Sequence, residues 1–153
     1  MSATFTQKIA RVFHLGRLPA RVREQMQSEG GILYLAEGIA ETAIFRNFRA
    51  PGVYCSQRRM GFIGFFALSE RRIVARAGCF HKIDVNTTFD DPTFKKLLFK
   101  AGPKYLSVTF DPSIQTPDAS GQIEIRLHLP DISKAATILK ENGAWITGKG
   151  AAT

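Results

Sequence analysis

Six arginines arrive close together in pairs along the chain: Arg46 with Arg49, Arg58 with Arg59, and Arg71 with Arg72. Guanidinium groups present forked donors that match phosphate and carboxylate oxygens, so anion binding is the chemistry these spacings point to. The residues that catalysis would need are scattered. His14, His81 and His128 form no HxH or HxxxH pair. Cys55 and Cys79 have no metal-ligand spacing, and a thiol–imidazole pair with His81 would require folding to bring them together. Gly61-x-x-Gly64 lacks the context of a phosphate loop, and Gly148-Lys149-Gly150 sits in a tail of small residues. Asp90-Asp91 reads as a turn and cap, since a hard cation needs further oxygen ligands and none cluster nearby. The expectation is a protein that is not an enzyme and holds no metal and no cofactor.

The chain of 153 residues has 44% hydrophobic and 22% charged residues, values of an ordinary globular domain rather than a disordered or fibrous one. Its longest apolar run, residues 60–68, is less than half of the roughly 20 residues a membrane-spanning helix needs. A soluble or peripheral protein follows; Cys55 and Cys79 read as reduced thiols in a cytoplasmic setting, with one disulfide between them as the lesser alternative. The net charge of +8 is unevenly spread: residues 1–82 hold 13 Lys+Arg against 5 Asp+Glu, and residues 83–153 hold 8 against 8. Such asymmetry favours an anionic partner.

Those side chains need elements to position them. Phe5, Ile9, Val12 and Phe13 recur at helical spacing, with Lys8 and Arg11 on other faces. Phe5, Lys8, Ile9, Arg11 and Phe13 therefore form a candidate membrane or partner contact, against the commoner fate of packing on the rest of the fold. Leu18, Val22 and Met26 predict a second helix, with Pro19 in its first turn and Gly30-Gly31 ending it. After Gly31 the period changes. Segments 32–35, 41–48, 62–68, 72–77, 80–85, 104–110 and 122–129 are rich in branched and aromatic residues and are separated by turn residues, which predicts seven strands in a sandwich or small barrel. Ile123, Ile125, Leu127 and Leu129 alternate with Gln122, Glu124, Arg126 and His128, as a half-buried strand requires. Residues 93–100 fit a short helix or an edge strand. Asp131 is placed to cap a final helix, with Ile132, Ala135, Ala136 and Leu139 on one stripe and Gly143 at its end. The domain plan is a basic helical extension at 1–30, a barrel with its closing helix at 31–146, and a flexible tail at 147–153.

Placing 62–68 and 72–77 on antiparallel strands puts Ser69-Glu70-Arg71 in the turn between them. Gly61-Phe62, followed by Ala67-Leu68-Ser69-Glu70-Arg71-Arg72-Ile73-Val74, resembles the strand, turn, arginine and strand hairpin of pleckstrin-homology-like domains, particularly bacterial and GRAM-type members. The resemblance covers about residues 31–143. It implies a mainly β fold, a seven-strand barrel whose C-terminal helix plugs one open end, and a role in binding membranes or proteins. Two features depart from that pattern. Glu37 and Glu41 stand where phosphoinositide-binding members place a lysine, and Trp145 falls just beyond the closing helix. The reading is a non-catalytic binding or scaffolding module that acts on an anionic membrane lipid or a protein partner, with Arg46, Arg49, Arg58, Arg59, Arg71 and Arg72 as the anion-binding set. A nucleic-acid-binding barrel ranks second, because twelve phenylalanines must mostly build the core. A carrier of a small apolar ligand ranks third. Strand edges such as 104–110 offer a route to homo-oligomers.

Overall fold

Branched and aromatic residues cluster at 32–35 and again from Ile39 to Phe48, and the chain uses both clusters as one long strand, β1 (Ile32–Ala50), instead of two segments at 32–35 and 41–48. The weak strand formers Ala36, Glu37 and Gly38 that divide the clusters in the sequence do not end the strand. The pairing register shifts between Glu37 and Ile39, and Gly38 takes φ 63°, so the glycine is absorbed as a bulge that an L side chain would resist. The chain then turns at Pro51-Gly52, where glycine adopts φ 76°, and returns as β2 (Val53–Ser69) with Ala50 opposite Val53. Expectation placed the return strand at 62–68 alone. Its first half is missed because residues 53–61 are mostly exposed and mix polar with apolar side chains, and hydrophobic pattern cannot mark a strand that projects past the core.

This computed structural model describes residues 16–77 and 83–148. Along them follow α1 (Ala20–Ser28) ahead of β1, then β3 (Arg72–Ala77), β4 (Ile83–Thr88), α2 (Pro92–Lys95), β5 (Leu98–Ala101), β6 (Leu106–Phe110), a 3-10 turn (Pro112–Ile114), β7 (Ser120–Leu127), α3 (Ile132–Glu141) and β8 (Ile146–Thr147). The strands form one sheet in the order β4-β3-β2-β1-β7-β6-β5-β8, curled into a half-barrel. Eight strands replace the expected seven: the two expected segments of β1 fuse, and β5 and β8 are added. Residues 93–100 turn out to be both of the alternatives, a short helix and then a strand. Asp91 caps that helix by accepting a hydrogen bond from the Thr93 N–H at 2.8 Å, the role its sequence position indicates.

The expected hairpin of β2 and β3 forms, with Leu68 opposite Ile73 and Ala67 opposite Val74. Ser69 Oγ accepts from the Arg71 and Arg72 N–H groups at 3.3 and 3.0 Å, which fastens the turn. Every residue from 64 to 69 is buried, a continuous run that alternation cannot explain unless both faces of the sheet are covered. They are. On the inner face, Phe66 and Leu68 pack with Ile73, Ile125, Leu127 and the α3 residues Ala135 and Leu139. On the outer face, Phe65, Ala67 and Val74 lie under Leu18 and Met26 of the α1 segment. The final helix is as expected: Asp131 caps it by accepting from the Lys134 N–H at 3.0 Å, and the Asp131 N–H donates to Tyr34 Oη on β1.

Gly64 on β2 is a position where no side chain fits. A Cβ there would run into the Arg76 carbonyl and lie 2.6 Å from the carboxylate of Glu41. Gly64→Ala is therefore expected to destabilise the fold by about 3 kcal/mol, the upper range for overpacking a rigid interior. Urea unfolding of the two chains tests this, and equal midpoints would show that the strand backbone yields.

Candidate functional site

The far end of the β1–β2 hairpin is built by one backbone irregularity. Asn47 adopts φ 48°, a conformation that asparagine tolerates better than most residues. Before it, Ala43 and Phe45 face inward; after it, Phe48 and Ala50 do so as well, and the Phe45 and Phe48 rings meet edge to face at 5.4 Å. Pairing between β1 and β7 shifts at the same place, between Arg46 and Arg49. Gly121 of β7, at φ 111°, accommodates the kink, because a Cβ there would strike the Asn47 carbonyl.

The kink sorts the arginines. Arg46 lies against Glu124 of β7 at 3.0 Å, and Glu124 also accepts from Arg126 at 2.8 Å. Arg126 in turn stacks over Tyr105 at 4.8 Å. Burial by itself would raise the Glu124 carboxyl; the hydrogen bonds from Arg126 and Arg46 outweigh it and hold the group below the ordinary glutamate range. The stability it lends is thus present above the ordinary glutamate pKa and is lost as pH falls through the depressed one. Arg49 is exposed and lies over the Tyr54 ring at 4.9 Å. Arg58 stands opposite Phe45 and Arg59 opposite Ile44, both exposed.

Arg71 and Arg72 do not join this group. Ten residues of β2 separate Arg59 from Ser69 at the start of their turn, about 33 Å at ~3.3 Å per residue. The six arginines thus fall into two sets, Arg46, Arg49, Arg58 and Arg59 on the far half of the β1–β2 hairpin and Arg71 and Arg72 at the β2–β3 turn. Arg58 and Arg59 lie inside β2, which begins five residues before Arg58. Arg72 is engaged within the fold. Its guanidinium reaches both carboxylate oxygens of Glu29, just past α1, at 3.0 and 3.1 Å, and Asn86 at 2.7 Å. This partly buried fork fastens α1 to the sheet. Arg72→Ala is expected to lower stability by about 2 kcal/mol, as for charge-assisted hydrogen bonds. Thermal unfolding with Glu29→Ala and the double variant checks it; strictly additive losses would show that the two residues are not coupled. The remaining expected contacts, Phe5, Lys8, Ile9, Arg11 and Phe13, lie outside the described residues.

Around the hairpin tip the surface is apolar as well as basic. Val53 is 55% exposed and Tyr54 61%. Leu98 at the start of β5 and Trp145 just before β8 are also exposed, and the strand pairings set Leu98 level with Thr109, Glu124 and Ile44, short of the hairpin tip. Behind the tip opens a pocket of about 460 Å³, lined from the hairpin by Phe45, Phe48, Val53 and Met60 and from the facing side by Ala119 and Ile123. Arg58 is its one charged lining residue, and the free thiol of Cys55 also borders it. Two acids, Asp111 and Asp118, stand exposed on the facing segment; Asp111 caps the 3-10 turn through the Ser113 N–H at 2.8 Å.

Glu41 is the residue whose importance the sequence reading missed. It sits on the inner face in step with Ile39, Ala43 and Phe45, opposite Phe62 of β2 and Leu127 of β7. It is 2% exposed, and neither carboxylate oxygen has a hydrogen-bond partner. Burial pushes its pKa well above the usual glutamate value. The signal was available: one acid in an alternating apolar series belongs to the core face. Among the described residues no group of three or more His, Cys, Asp or Glu side chains is arranged to hold a metal ion, and no helix is long and apolar enough to cross a membrane. No family model, no curated protein and no solved structure matches the chain.

Proposed function

We propose that the chain is a non-catalytic binding module that docks the tip of its β1–β2 hairpin on an anionic membrane surface. The observation that carries this reading is the pairing of exposed Val53 and Tyr54 with exposed Arg49, Arg58 and Arg59 on a hairpin that projects past the core. Each cation contributes about 1 kcal/mol near an anionic leaflet. Three of them alone give only loose, salt-sensitive attachment. Burying Val53 and one face of Tyr54 in the interfacial layer adds about 2–3 kcal/mol, so charge and apolar contact together reach useful, reversible binding.

The same reading includes kinship with pleckstrin-homology-like domains. The Ser69-Glu70-Arg71-Arg72 hairpin and a helix that follows the last long strand support it; the eighth strand after that helix departs from the seven-strand pattern. Co-sedimentation of the full chain with phosphatidylserine-containing and with neutral vesicles tests the function. Val53→Ser combined with Tyr54→Ser is expected to weaken binding to the anionic vesicles by about 30-fold, equivalent to the lost apolar burial. Unchanged binding would remove the hairpin tip from the contact.

A further inference from the structure

The pocket behind the hairpin tip shares Val53 and Arg58 with the surface that would meet a membrane, and its chemistry is specific. We propose that it binds one molecule of a medium-chain fatty acid, the alkyl chain among Phe45, Phe48, Met60 and Ile123 and the carboxylate on the Arg58 guanidinium. This inference rests on the membrane reading for the route by which the ligand arrives, though not for the site itself.

Three features select that ligand. The volume of about 460 Å³ lies within the range of small-molecule sites, roughly 300–1,000 Å³. If a methylene takes about the ~30 Å³ share of a liquid water molecule, a chain of about twelve carbons fills most of it and a two-chain lipid does not fit. The lining is apolar apart from Gln115, Thr116, Cys55 and Arg58, so it suits an unbranched hydrocarbon better than a sugar or nucleotide, which would leave its hydroxyl groups unpaired. Finally, Arg58 is the one charged lining residue and has no ion-pair partner among the described residues, so it complements a single anionic head. A neutral or cationic amphiphile leaves that charge unanswered.

The kink at Asn47 is what makes the site. A strand with regular alternation would turn Phe48 and Ala50 to the outer face and bring Arg49 inward; the positive φ instead brings Phe48 and Ala50 to the pocket and leaves Arg49 over Tyr54.

The test uses the full chain and dodecanoate held well below its micelle concentration, read by isothermal titration calorimetry. The expected result is saturable binding with one site per chain. Arg58→Gln should weaken dodecanoate about 10-fold, the scale of one charge-assisted contact, while dodecanol, which lacks the carboxylate, changes by less than about 2-fold. Ala50→Phe, at a half-buried lining position, should weaken both ligands by at least about 10-fold by filling the pocket. Bound dodecanoate should also slow maleimide labelling of Cys55, followed by mass spectrometry of the peptide that carries it. This last readout needs no variant, so it stands even if a substitution disturbs folding. Absence of binding, uptake of many molecules per chain, equal affinity in Arg58→Gln, or unchanged Cys55 labelling would each overturn the proposal. Dodecanoate binding without vesicle binding would sink the membrane reading and leave the pocket, and the reverse would sink the pocket and leave the membrane reading.

Discussion

Replacing Arg49, Arg58 and Arg59 together by glutamate should abolish binding to anionic vesicles. Each reversal removes about 1 kcal/mol of attraction and introduces a repulsion of similar size, a total of about 6 kcal/mol or more than 10,000-fold in affinity. The fold should survive, because all three side chains are exposed and none of them takes part in an ion pair among the described residues. The matching reversal just past the other end of β2, Arg71→Glu, should reduce affinity by less than about 3-fold, since the strand from Arg59 to Ser69 runs about 33 Å along its length against a Debye length of about 8 Å at physiological salt. Vesicle titrations at two salt concentrations, with circular dichroism to confirm folding, decide this. Equal losses from the two ends would mean that the attraction follows net charge and not the hairpin tip.

The second large effect concerns Glu41. Its unpartnered carboxylate is buried among apolar side chains, a placement that costs about 1–3 kcal/mol relative to an apolar residue of similar shape. Glu41→Met, of similar length, should stabilise the chain at pH 7 by about 2 kcal/mol, a rise in Tm of about 6 °C for a chain of this size. The pH dependence has a definite sign. Because the folded-state pKa is raised, the native state holds a proton that the unfolded chain has released, so stability falls as pH climbs from the ordinary glutamate value of 4.5 toward the raised one. Below 4.5 both states are protonated, and the linkage contribution of this group vanishes. Glu124 acts in the opposite direction, as its lowered pKa lends stability that is lost on acidification. The difference in stability between wild type and Glu41→Met isolates Glu41: it should be small near pH 4 and grow as pH rises from 4.5 toward the raised pKa. A difference that stays flat with pH would mean that the carboxylate finds a partner or water in solution.

Legibility in the sequence followed the physics of burial. Where a strand has one wet face, as at Gln122 to Leu129, alternation marks it plainly, and the caps Asp91 and Asp131 were readable because a short carboxylate before a helix has few other uses. The β2–β3 hairpin was recognisable from its turn. Local pattern failed where an element depends on distant partners. Residues 53–61 are a strand because β1 lies beside them, and the two-residue β8 exists through its pairing with Phe99 and Lys100. The continuity of β1 through Gly38 depends on a bulge that tertiary pairing tolerates. The candidate site shows the same division. The arginine pairs were visible, but which of them stay exposed was not, since Glu124 and Glu29 come from other elements and claim Arg46 and Arg72 across 78 and 43 residues of chain. Similarly, Val53 and Tyr54 stand out only once the turn at Pro51-Gly52 is seen to project past the core.

The most direct measurement places a fluorophore at the tip. In a full-length chain carrying Tyr54→Trp and Trp145→Phe, residue 54 becomes the sole tryptophan, and vesicles with bromine at defined depths along their acyl chains report its position by quenching. Docking through the hairpin predicts a blue-shifted emission with strongest quenching by shallow bromines, as an aromatic ring at the interfacial layer requires. Emission unchanged by vesicles that nonetheless bind the protein, with no quenching at any depth, would contradict it and move the contact away from the hairpin.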